Sequence, residues 1–262
     1  MDFCRAGELT TCFSWGGAGN GSPLVFIHSL GTDLRIWDAV VAELKDEHAC
    51  LRYDLRGHGL SDCPHGPYAL SDFTNDLNAL LNAVELDQVL LVGISIGGLI
   101  ALGYGLAHAA QVKGLILADT GARIGTAEGW QERIEKVQKH GLEAVAPEIL
   151  PRWFAQDFAN TQPVEYAGYL NMLARQPARG YVSSCAALKE TDLRDGLGEL
   201  AAPALVLCGE HDNAITPESC RQLAESLPYG IFAAIPNSGH LPCLEQPGEF
   251  ARQVRAFVET LP

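Results

Sequence analysis

Residues 88–97 read QVLLVGISIG, an apolar run followed directly by glycine-x-serine-x-glycine. The run is typical of a buried strand, and residues 98–108 are compatible with a helix, so Ser95 lies at a predicted strand-to-helix turn. So sharp a turn brings neighbouring backbone close together, and glycine at positions 93 and 97 avoids the resulting clash. The stretch therefore predicts a serine hydroxyl held above a sheet. A small-residue turn with an incidental serine would read the same, so the hypothesis needs a base, an acid and oxyanion donors elsewhere.

The rest of the chain alternates short apolar runs with longer stretches of helical period. Strands are predicted at residues 23–28, 48–53, 88–92, 112–118, 204–208 and 230–235, with an antiparallel edge strand at 8–15. Helices are predicted at residues 35–44, 71–84, 96–108, 218–226 and 246–260. Ser71 is predicted to cap the second of these helices. The alternation is typical of an α/β fold, in which helices cover both faces of a mostly parallel sheet.

The alternation breaks between residues 121 and 195, where no strand is predicted. Four helices are predicted in this block, at residues 128–140, 142–150, 163–174 and 177–188. We interpret residues 121–195 as a helical cap inserted into a core formed by residues 1–120 and 196–262. The block holds nine Lys or Arg and ten Asp or Glu, so nearly all of the formal charge of −14 lies in the core.

Composition bounds the possible partners. With 262 residues, 47% of them apolar, the chain can bury the core of one α/β domain with an insertion. A net charge of −14 argues against nucleic-acid binding, which needs clustered Lys and Arg. The N-terminus lacks a signal-peptide pattern, no apolar stretch is long enough to span a bilayer, and the eight cysteines show no C-x-x-C pairs. We therefore expect a cytoplasmic protein without a metal site, a disulfide framework or a membrane partner; monomer and homo-oligomer both stay open.

Two residues in the last third of the chain are the predicted partners of Ser95. A serine hydroxyl is too weak an acid to attack a carbonyl unaided, so it needs a base, and the base needs an acid that fixes its tautomer. Asp212 follows the strand at 204–208, at the end where ligands gather in open parallel sheets. His240 follows the last predicted strand, and the order serine, aspartate, histidine belongs to one hydrolase architecture. Glu210 is the alternative acid.

Two backbone N–H groups are the predicted oxyanion donors. In this architecture one belongs to the residue after the nucleophile, here Ile96, and the other lies in the loop after the strand at 23–28. Residues 28–31 of that loop read HSLG, and Leu30 is the predicted donor. A further loop, residues 54–61 (DLRGHGLS), lacks the glycine spacing and the lysine of a phosphate-binding loop, so a structural role is predicted for it.

These motifs together resemble the α/β-hydrolase family from end to end. The likeness rests on GISIG around Ser95, the His28 loop, the loop at 54–61, and the late Asp212 and His240. It implies the α/β-hydrolase fold, a mostly parallel eight-stranded sheet flanked by helices with an inserted helical cap. Serine at the nucleophile position disfavours the dehalogenase and epoxide hydrolase branches, which use aspartate there. Ser29 departs from the commoner H-G-x-x form of the oxyanion loop.

Within this family the chain is most similar to the 3-oxoadipate enol-lactonases of the β-ketoadipate pathway of aromatic-compound degradation. The segments that carry this likeness are FIHSLGTD at 26–33, ADTGARIGT at 118–126, WQERI at 130–134 and RWF at 152–154. The resemblance implies hydrolysis of a small anionic enol-lactone to 3-oxoadipate through an acyl-enzyme on Ser95. It implies no metal and no organic cofactor.

A substrate carboxylate in a protein of charge −14 requires a cation in the pocket. A guanidinium can hold a carboxylate by two parallel hydrogen bonds, which favours an arginine. The predicted substrate contacts are Arg133, Trp130, Trp153 and Ser29, with Arg123 and Arg152 as alternative cations. Arg133 lies among charged neighbours, and aromatic residues at helical spacing are often core, so a solvated helix face and a packed core are the competing interpretations.

Four other functions remain open at this point. A general carboxylesterase, a cofactor-free perhydrolase or a C–C bond hydrolase would use the same fold and the same three residues. A ligand receptor would keep the pocket without turnover, although intact Ser95, Asp212 and His240 argue against it. Turnover of neutral esters and of the anionic lactone separates these functions.

Overall fold

The computed structural model describes residues 1–19 and 21–261, and one eight-stranded sheet lies at its centre. The strands are β1 (Asp2–Ala6), β2 (Leu9–Gly16), β3 (Leu24–Ile27), β4 (Cys50–Tyr53), β5 (Val89–Ile94), β6 (Val112–Ala118), β7 (Ala204–Gly209) and β8 (Gly230–Ile235). Their order is β1-β2-β4-β3-β5-β6-β7-β8. All pairings among strands β3 to β8 are parallel, whereas β2 runs antiparallel to both of its neighbours, β1 and β4. The predicted α/β fold with a mostly parallel eight-stranded sheet is confirmed.

The central strands position the candidate site. Every residue of β3, β5 and β7 is buried, as expected for strands covered by helices on both faces. Because parallel strands end at the same edge of a sheet, the loops after β3, β5, β6, β7 and β8 converge there.

The N-terminal end of the sheet differs from the prediction. Residues 8–15 do form a strand, but it is not the edge strand, because β1 pairs outside it. On its inner side β2 pairs with β4, so it does not touch the strand that follows it in sequence. The sequence of β1 gave no signal because four of its five residues are at least partly exposed.

Eleven α-helices occur in the described residues. They are α1 (Asp38–Leu44), α2 (Leu70–Ala83), α3 (Ile96–Ala107), α4 (Ala127–His140), α5 (Leu142–Ile149), α6 (Phe158–Thr161), α7 (Pro163–Ala174), α8 (Ala178–Glu190), α9 (Pro217–Ser226), α10 (Pro242–Glu245) and α11 (Pro247–Val258). The four-residue helices α6 and α10 were not predicted, because one turn is too short to show a helical period. The start predicted at residue 35 is instead a 3-10 helix, Leu34–Trp37, that precedes α1.

The prediction that Ser71 is the N-cap residue of the second helix is wrong. Helix α2 begins at Leu70, one residue before Ser71, and the Asp72 carboxylate accepts a hydrogen bond from the backbone N–H of Ala69 at 2.7 Å. Asp72 therefore supplies the polar group that the prediction assigned to Ser71.

Helices α4 to α8 all lie between β6 and β7, and we call them the cap helices. Within this set α4 packs against α8, and α5 packs against α7. The division of the chain into a core and a separate cap unit stays a prediction. Over residues 1–19 and 21–261, no helix combines the length and the apolar content needed to cross a membrane.

Candidate active site

Ser95 occupies a strained turn between β5 and α3. Its backbone has φ 56° and ψ −120°, a region that non-glycine residues avoid at a cost of about 1–3 kcal/mol. Two hydrogen bonds with residues at the end of β6 stabilise this conformation. The Ser95 N–H donates to the carbonyl oxygen of Ala118 at 2.9 Å, and the Thr120 hydroxyl donates to the Ser95 carbonyl oxygen at 2.7 Å.

The two glycines of the motif are required sterically. A Cβ atom on Gly93 would overlap the carbonyl oxygen of Gly97, and a Cβ atom on Gly97 would overlap that of Ile27. The turn therefore fits against the end of β3 only with hydrogen at both positions, which is the reason expected from the sequence.

Asp212 and His240 form a buried pair at the ends of β7 and β8. The Nδ1 atom of His240 lies 2.7 Å from Oδ2 of Asp212, and both side chains are more than nine-tenths buried. The other carboxylate oxygen, Oδ1, accepts from the N–H groups of Ala214 at 2.7 Å and Ile215 at 3.1 Å. Because a carboxylate only accepts, Nδ1 carries the proton and Nε2 is left as the basic nitrogen.

Glu210, the alternative acid, lies elsewhere. Its side chain is 53% exposed, and its Oε2 accepts from the N–H of Asn237 at 3.2 Å. Its nearest histidine is His211, with Nε2 at 4.0 Å, so the geometry pairs His240 with Asp212.

The predicted oxyanion donors are the N–H groups of Leu30, in the loop after β3, and of Ile96, at the start of α3. Among residues 1–19 and 21–261, neither the Leu30 N–H nor the Ile96 N–H donates to a protein acceptor. Both residues are buried, and unpaired buried N–H groups are rare in folded proteins. The N–H of the next loop residue, Gly31, is taken by Nε2 of His58 at 3.1 Å. Two uncommitted donors at this position are what an oxyanion needs.

Two buried histidines brace the oxyanion loop. Nε2 of His28 accepts from the N–H of Leu55 at 2.9 Å, and its Nδ1 lies 2.8 Å from the carbonyl oxygen of Ser29. Burial lowers the pKa of His28 to about 4 and that of His58 to about 3, where the neighbouring His28 adds to the shift. Both rings are therefore neutral acceptors at physiological pH, which is what the N–H groups of Gly31 and Leu55 require.

We expect this pair to make the fold sensitive to acid. An unfolded histidine binds a proton near pH 6.5, well above the folded values of about 4 and 3, so the unfolded chain takes up more protons as pH falls. The stabilisation is complete above pH 6.5 and is lost as pH falls towards 4. As the pH falls from 7 to 5, each histidine should lower the free energy of unfolding by about 2 kcal/mol.

Urea unfolding at several pH values measures this effect. The His58→Gln variant, whose side-chain oxygen can still accept from Gly31, should lose about half of the pH dependence. The matched control His140→Gln, at an exposed position on α4, should keep all of it. A His58→Gln variant with the full pH dependence would contradict the assignment.

The loop at 54–61 packs against the oxyanion loop, with Leu55 bonded to His28. The Asp54 carboxylate accepts from the N–H groups of Leu34 and Leu60, both at 2.8 Å. Gly59 packs so closely on this carboxylate that a Cβ atom would overlap it. These contacts agree with the structural role predicted for the loop.

The structure brings two of the predicted cap residues to the site. A Cβ atom on Gly31 would lie 3.4 Å from the Trp153 ring and 3.1 Å from the Tyr181 ring, so both rings pack on the oxyanion loop. The half-buried Arg133 donates from Nη1 to the Tyr181 hydroxyl at 3.2 Å. No carboxylate lies within 4.0 Å of the Arg133 guanidinium among residues 1–19 and 21–261. The cationic group next to Tyr181 thus has no anionic partner in the described chain.

The other predicted contacts are placed differently. Arg123 is paired with Asp192 at 3.3 Å, and Arg152 is exposed. Trp130 donates from its indole N–H to the carbonyl oxygen of Ile124 at 2.6 Å, which fixes the turn before α4. Ser29 is buried on the oxyanion loop, and its carbonyl oxygen accepts from Thr32.

Glu245 joins the cap segment to the histidine loop. Its Oε2 accepts from the N–H of Gly239 at 2.6 Å, next to His240, and its Oε1 accepts from the N–H of Ala155 at 2.9 Å. The N–H of Leu241 also donates to the carbonyl oxygen of Trp153 at 3.0 Å. The position of His240 therefore depends on contacts from both sides of the predicted cap boundary.

A cavity of about 820 Å³ opens beside this junction. Its carboxylates come from Asp157, Glu165, Glu210 and Glu245, and no Lys or Arg lines it. Neither Ser95 nor His240 is among the lining residues. Its charge is unfavourable for an anion, so the side of Arg133 and Tyr181 is the better position for an anionic substrate.

Asp119, Cys208 and Asp212 bring their donor atoms within 4.8 Å of one another. We do not assign this group to a metal, because Asp212 already accepts three hydrogen bonds and Asp119 accepts one. All three side chains are buried beside His240 and belong to its surroundings.

Sequence reasoning missed four residues of this site: His58, Asp119, Tyr181 and Glu245. Asp119 directly follows β6, so the rule that selected Asp212 after β7 would have selected it too. Tyr181 had no comparable signal, because its contact with Arg133 joins residues 48 positions apart.

Comparison with known proteins extends these observations. Residues 24–253 match the profile of the Alpha/beta hydrolase family. The chain is 32% identical over 258 residues to 3-oxoadipate enol-lactonase 2 of Acinetobacter baylyi, which covers 98% of this chain and 96% of that protein. The enol-lactonase from Burkholderia xenovorans LB400 superposes with a TM-score of 0.95 at 33% identity, over 98% of this chain and 100% of that one. A thermophilic esterase from Thermogutta terrifontis, with malate bound, has a TM-score of 0.91 at 30% identity, over 98% and 95% of the two chains.

Proposed function

We propose that this chain, which belongs to the alpha/beta hydrolase family, hydrolyses 3-oxoadipate enol-lactone to 3-oxoadipate through an acyl-enzyme. The observation that carries the chemistry is the 2.7 Å pair of His240 and Asp212. Ser95 is held at a strained turn after β5, whose carboxyl end lies at the same edge of the sheet as those of β7 and β8. The relatives named as enol-lactonases support this substrate. A role in the β-ketoadipate pathway is part of the same proposal.

In the proposed first step the Ser95 hydroxyl attacks the lactone carbonyl while Nε2 of His240 takes its proton. The N–H groups of Leu30 and Ile96 stabilise the oxyanion of the tetrahedral intermediate. Collapse of this intermediate breaks the ring C–O bond, and His240 returns the proton to the leaving oxygen. The leaving group is an enol, which departs more readily than an alcohol and then becomes a ketone.

Because the ester is part of a ring, the former leaving oxygen stays on the acyl chain bound to Ser95, and in the second step a water molecule enters the site. His240 accepts a proton from this water, whose oxygen attacks the acyl carbonyl, and the same two N–H groups stabilise the second oxyanion. Collapse releases the carboxylate and returns the proton from His240 to Ser95. These steps use only protein side chains and water.

Arg133 and Tyr181 are the proposed anchors for the substrate carboxylate. Arg133 is half-buried, has no carboxylate partner in the described chain, and contacts Tyr181, whose ring packs on the oxyanion loop. Burial raises the pKa of Tyr181 well above its usual value, so its hydroxyl stays neutral and can donate. The malate bound to the Thermogutta terrifontis esterase gives a related case of a carboxylate ligand on this fold.

We expect kcat/KM to be much higher for the enol-lactone than for neutral esters of similar size. Arg133→Ala should lower kcat/KM for the lactone by about 10- to 100-fold, the size of one charge-assisted hydrogen-bonded contact, and change that for a neutral ester by less than about threefold. Steady-state kinetics on both substrates measures this difference.

The matched control is Arg123→Ala, because that guanidinium is already paired with Asp192. It should leave both activities unchanged. An equal loss on both substrates would assign Arg133 a structural role. Preference of the wild type for neutral esters would instead support the general esterase, which the Thermogutta terrifontis neighbour favours.

A further inference from the structure

A second buried carboxyl group, which the proposed mechanism does not use, lies beside Asp212. Asp119 follows β6, is fully buried, and has a left-handed backbone with φ 44°. Its Oδ1 accepts from the N–H of Gly209 at 2.8 Å. Its Oδ2 is also buried, and no donor in the described part of the chain forms a hydrogen bond with it.

Within the part of the chain that the structure describes, no compensating cation pairs with Asp119. An oxygen of its carboxyl group lies within 4.8 Å of one from Asp212 and of the Cys208 Sγ. The other titratable groups facing it are Cys220 on α9 and Cys243 on α10. None of the ion pairs within residues 1–19 and 21–261 includes it. Burial and then the charge of Asp212 raise the pKa of Asp119 well above its usual range.

Two neighbouring carboxyl groups without a cation cannot both be ionised in a buried site. The donors decide which one carries the charge. Asp212 accepts from two backbone N–H groups and from His240, so its anion is well solvated by protein. Asp119 has one donor, on Oδ1 only. The proton therefore belongs on Oδ2 of Asp119, the oxygen that lacks a donor.

We propose that Asp119 is a positioning residue, a neutral carboxylic acid whose Oδ2–H donates to the carboxylate of Asp212. This inference rests on the proposed function, in which Asp212 orients His240. The proton stays on Asp119 throughout the reaction, so no bond is broken. The added hydrogen bond spreads the charge of Asp212, and thereby limits how strongly Asp212 favours protonated His240.

The Asp119→Asn variant tests the protonation state. An Asn side chain can accept from Gly209 through its oxygen and donate to Asp212 through its nitrogen, as a protonated Asp119 would. We expect kcat/KM within about twofold of wild type and an acidic limb of the pH profile at the same pH. An ionised Asp119 would be a second negative charge near His240. Its removal would then move the acidic limb to lower pH by about one unit, which would overturn the proposal.

The Asp119→Leu variant tests what happens when the hydrogen bond to Asp212 is lost. Leucine fills the space without donating, so Asp212 keeps more of its charge and favours protonated His240 more strongly. We expect the acidic limb to move to higher pH by about one unit, so that kcat/KM measured on that limb falls about tenfold. A positioning role thus separates the two variants, whereas a packing role would make Leu and Asn differ in stability alone.

Infrared spectroscopy gives a readout that does not depend on turnover or on the Leu variant. At neutral pH the wild type should show the carbonyl stretch of a buried protonated carboxylic acid, and Asp119→Asn should lack it. Its absence from the wild type would overturn the inference even if Ser95 proves essential. Its presence together with an active Ser95→Ala variant would contradict the proposed function and leave the protonation of Asp119 established.

Discussion

Replacing Ser95 with alanine is expected to lower kcat/KM for ester hydrolysis by about 10⁴- to 10⁶-fold, the range found when a triad nucleophile is removed. The reason is that alanine has no hydroxyl group with which to attack the ester carbonyl. Steady-state kinetics on the lactone, with circular dichroism to verify folding, measures the loss.

Ser95→Gly is the informative companion to this variant. Glycine adopts φ 56° without strain, so this variant should be as inactive as alanine yet more stable than wild type by about 1 kcal/mol. Urea unfolding measures the gain. Hydrolysis near the wild-type rate in either variant would contradict the assignment of Ser95 as nucleophile.

Replacing Asp212 with asparagine should lower kcat by about 10³- to 10⁴-fold. Two backbone N–H groups, those of Ala214 and Ile215, already point at the Oδ1 position, so the asparagine oxygen must occupy it. The NH₂ group then faces Nδ1 of His240 and forces that nitrogen to accept. The ring proton moves to Nε2, which can no longer take the proton of Ser95.

The matched control is Glu210→Gln. Glu210 is the rival acid by sequence, two residues away, but its exposed side chain contacts Asn237 instead of His240. This variant should keep kcat within about twofold of wild type. A large loss in Glu210→Gln together with an active Asp212→Asn variant would exchange the two assignments.

The central strands of the sheet could be predicted from the sequence, whereas the edge strand β1 could not. Strands buried on both faces, such as β5 and β7, are continuous apolar runs that few other structures produce. β1 has a mixed sequence and depends on pairing with β2, so nothing local marked it. The same limit applies to α6 and α10, since their single turns depend on neighbouring contacts.

For the candidate site, the sequence order and the strand ends were sufficient to select Ser95, Asp212 and His240. Asp119 met the same positional rule and was passed over, because its significance depends on its distance from Asp212. For Trp130 the structure adds a role that the sequence did not show, because its indole N–H donates to the backbone of Ile124, while its contact with substrate stays a prediction.

The sequence by itself determined the parallel sheet, the strained serine turn and the order of the three candidate catalytic residues. These follow from local sterics and from apolar periodicity, which act between near neighbours in the chain. Only the tertiary structure decided which acid meets His240, which of the predicted arginines is half-buried without a carboxylate partner, and that Asp119 lies beside Asp212. Such contacts join residues far apart in sequence, and their distances exist only once the strands have paired and the cap helices have packed.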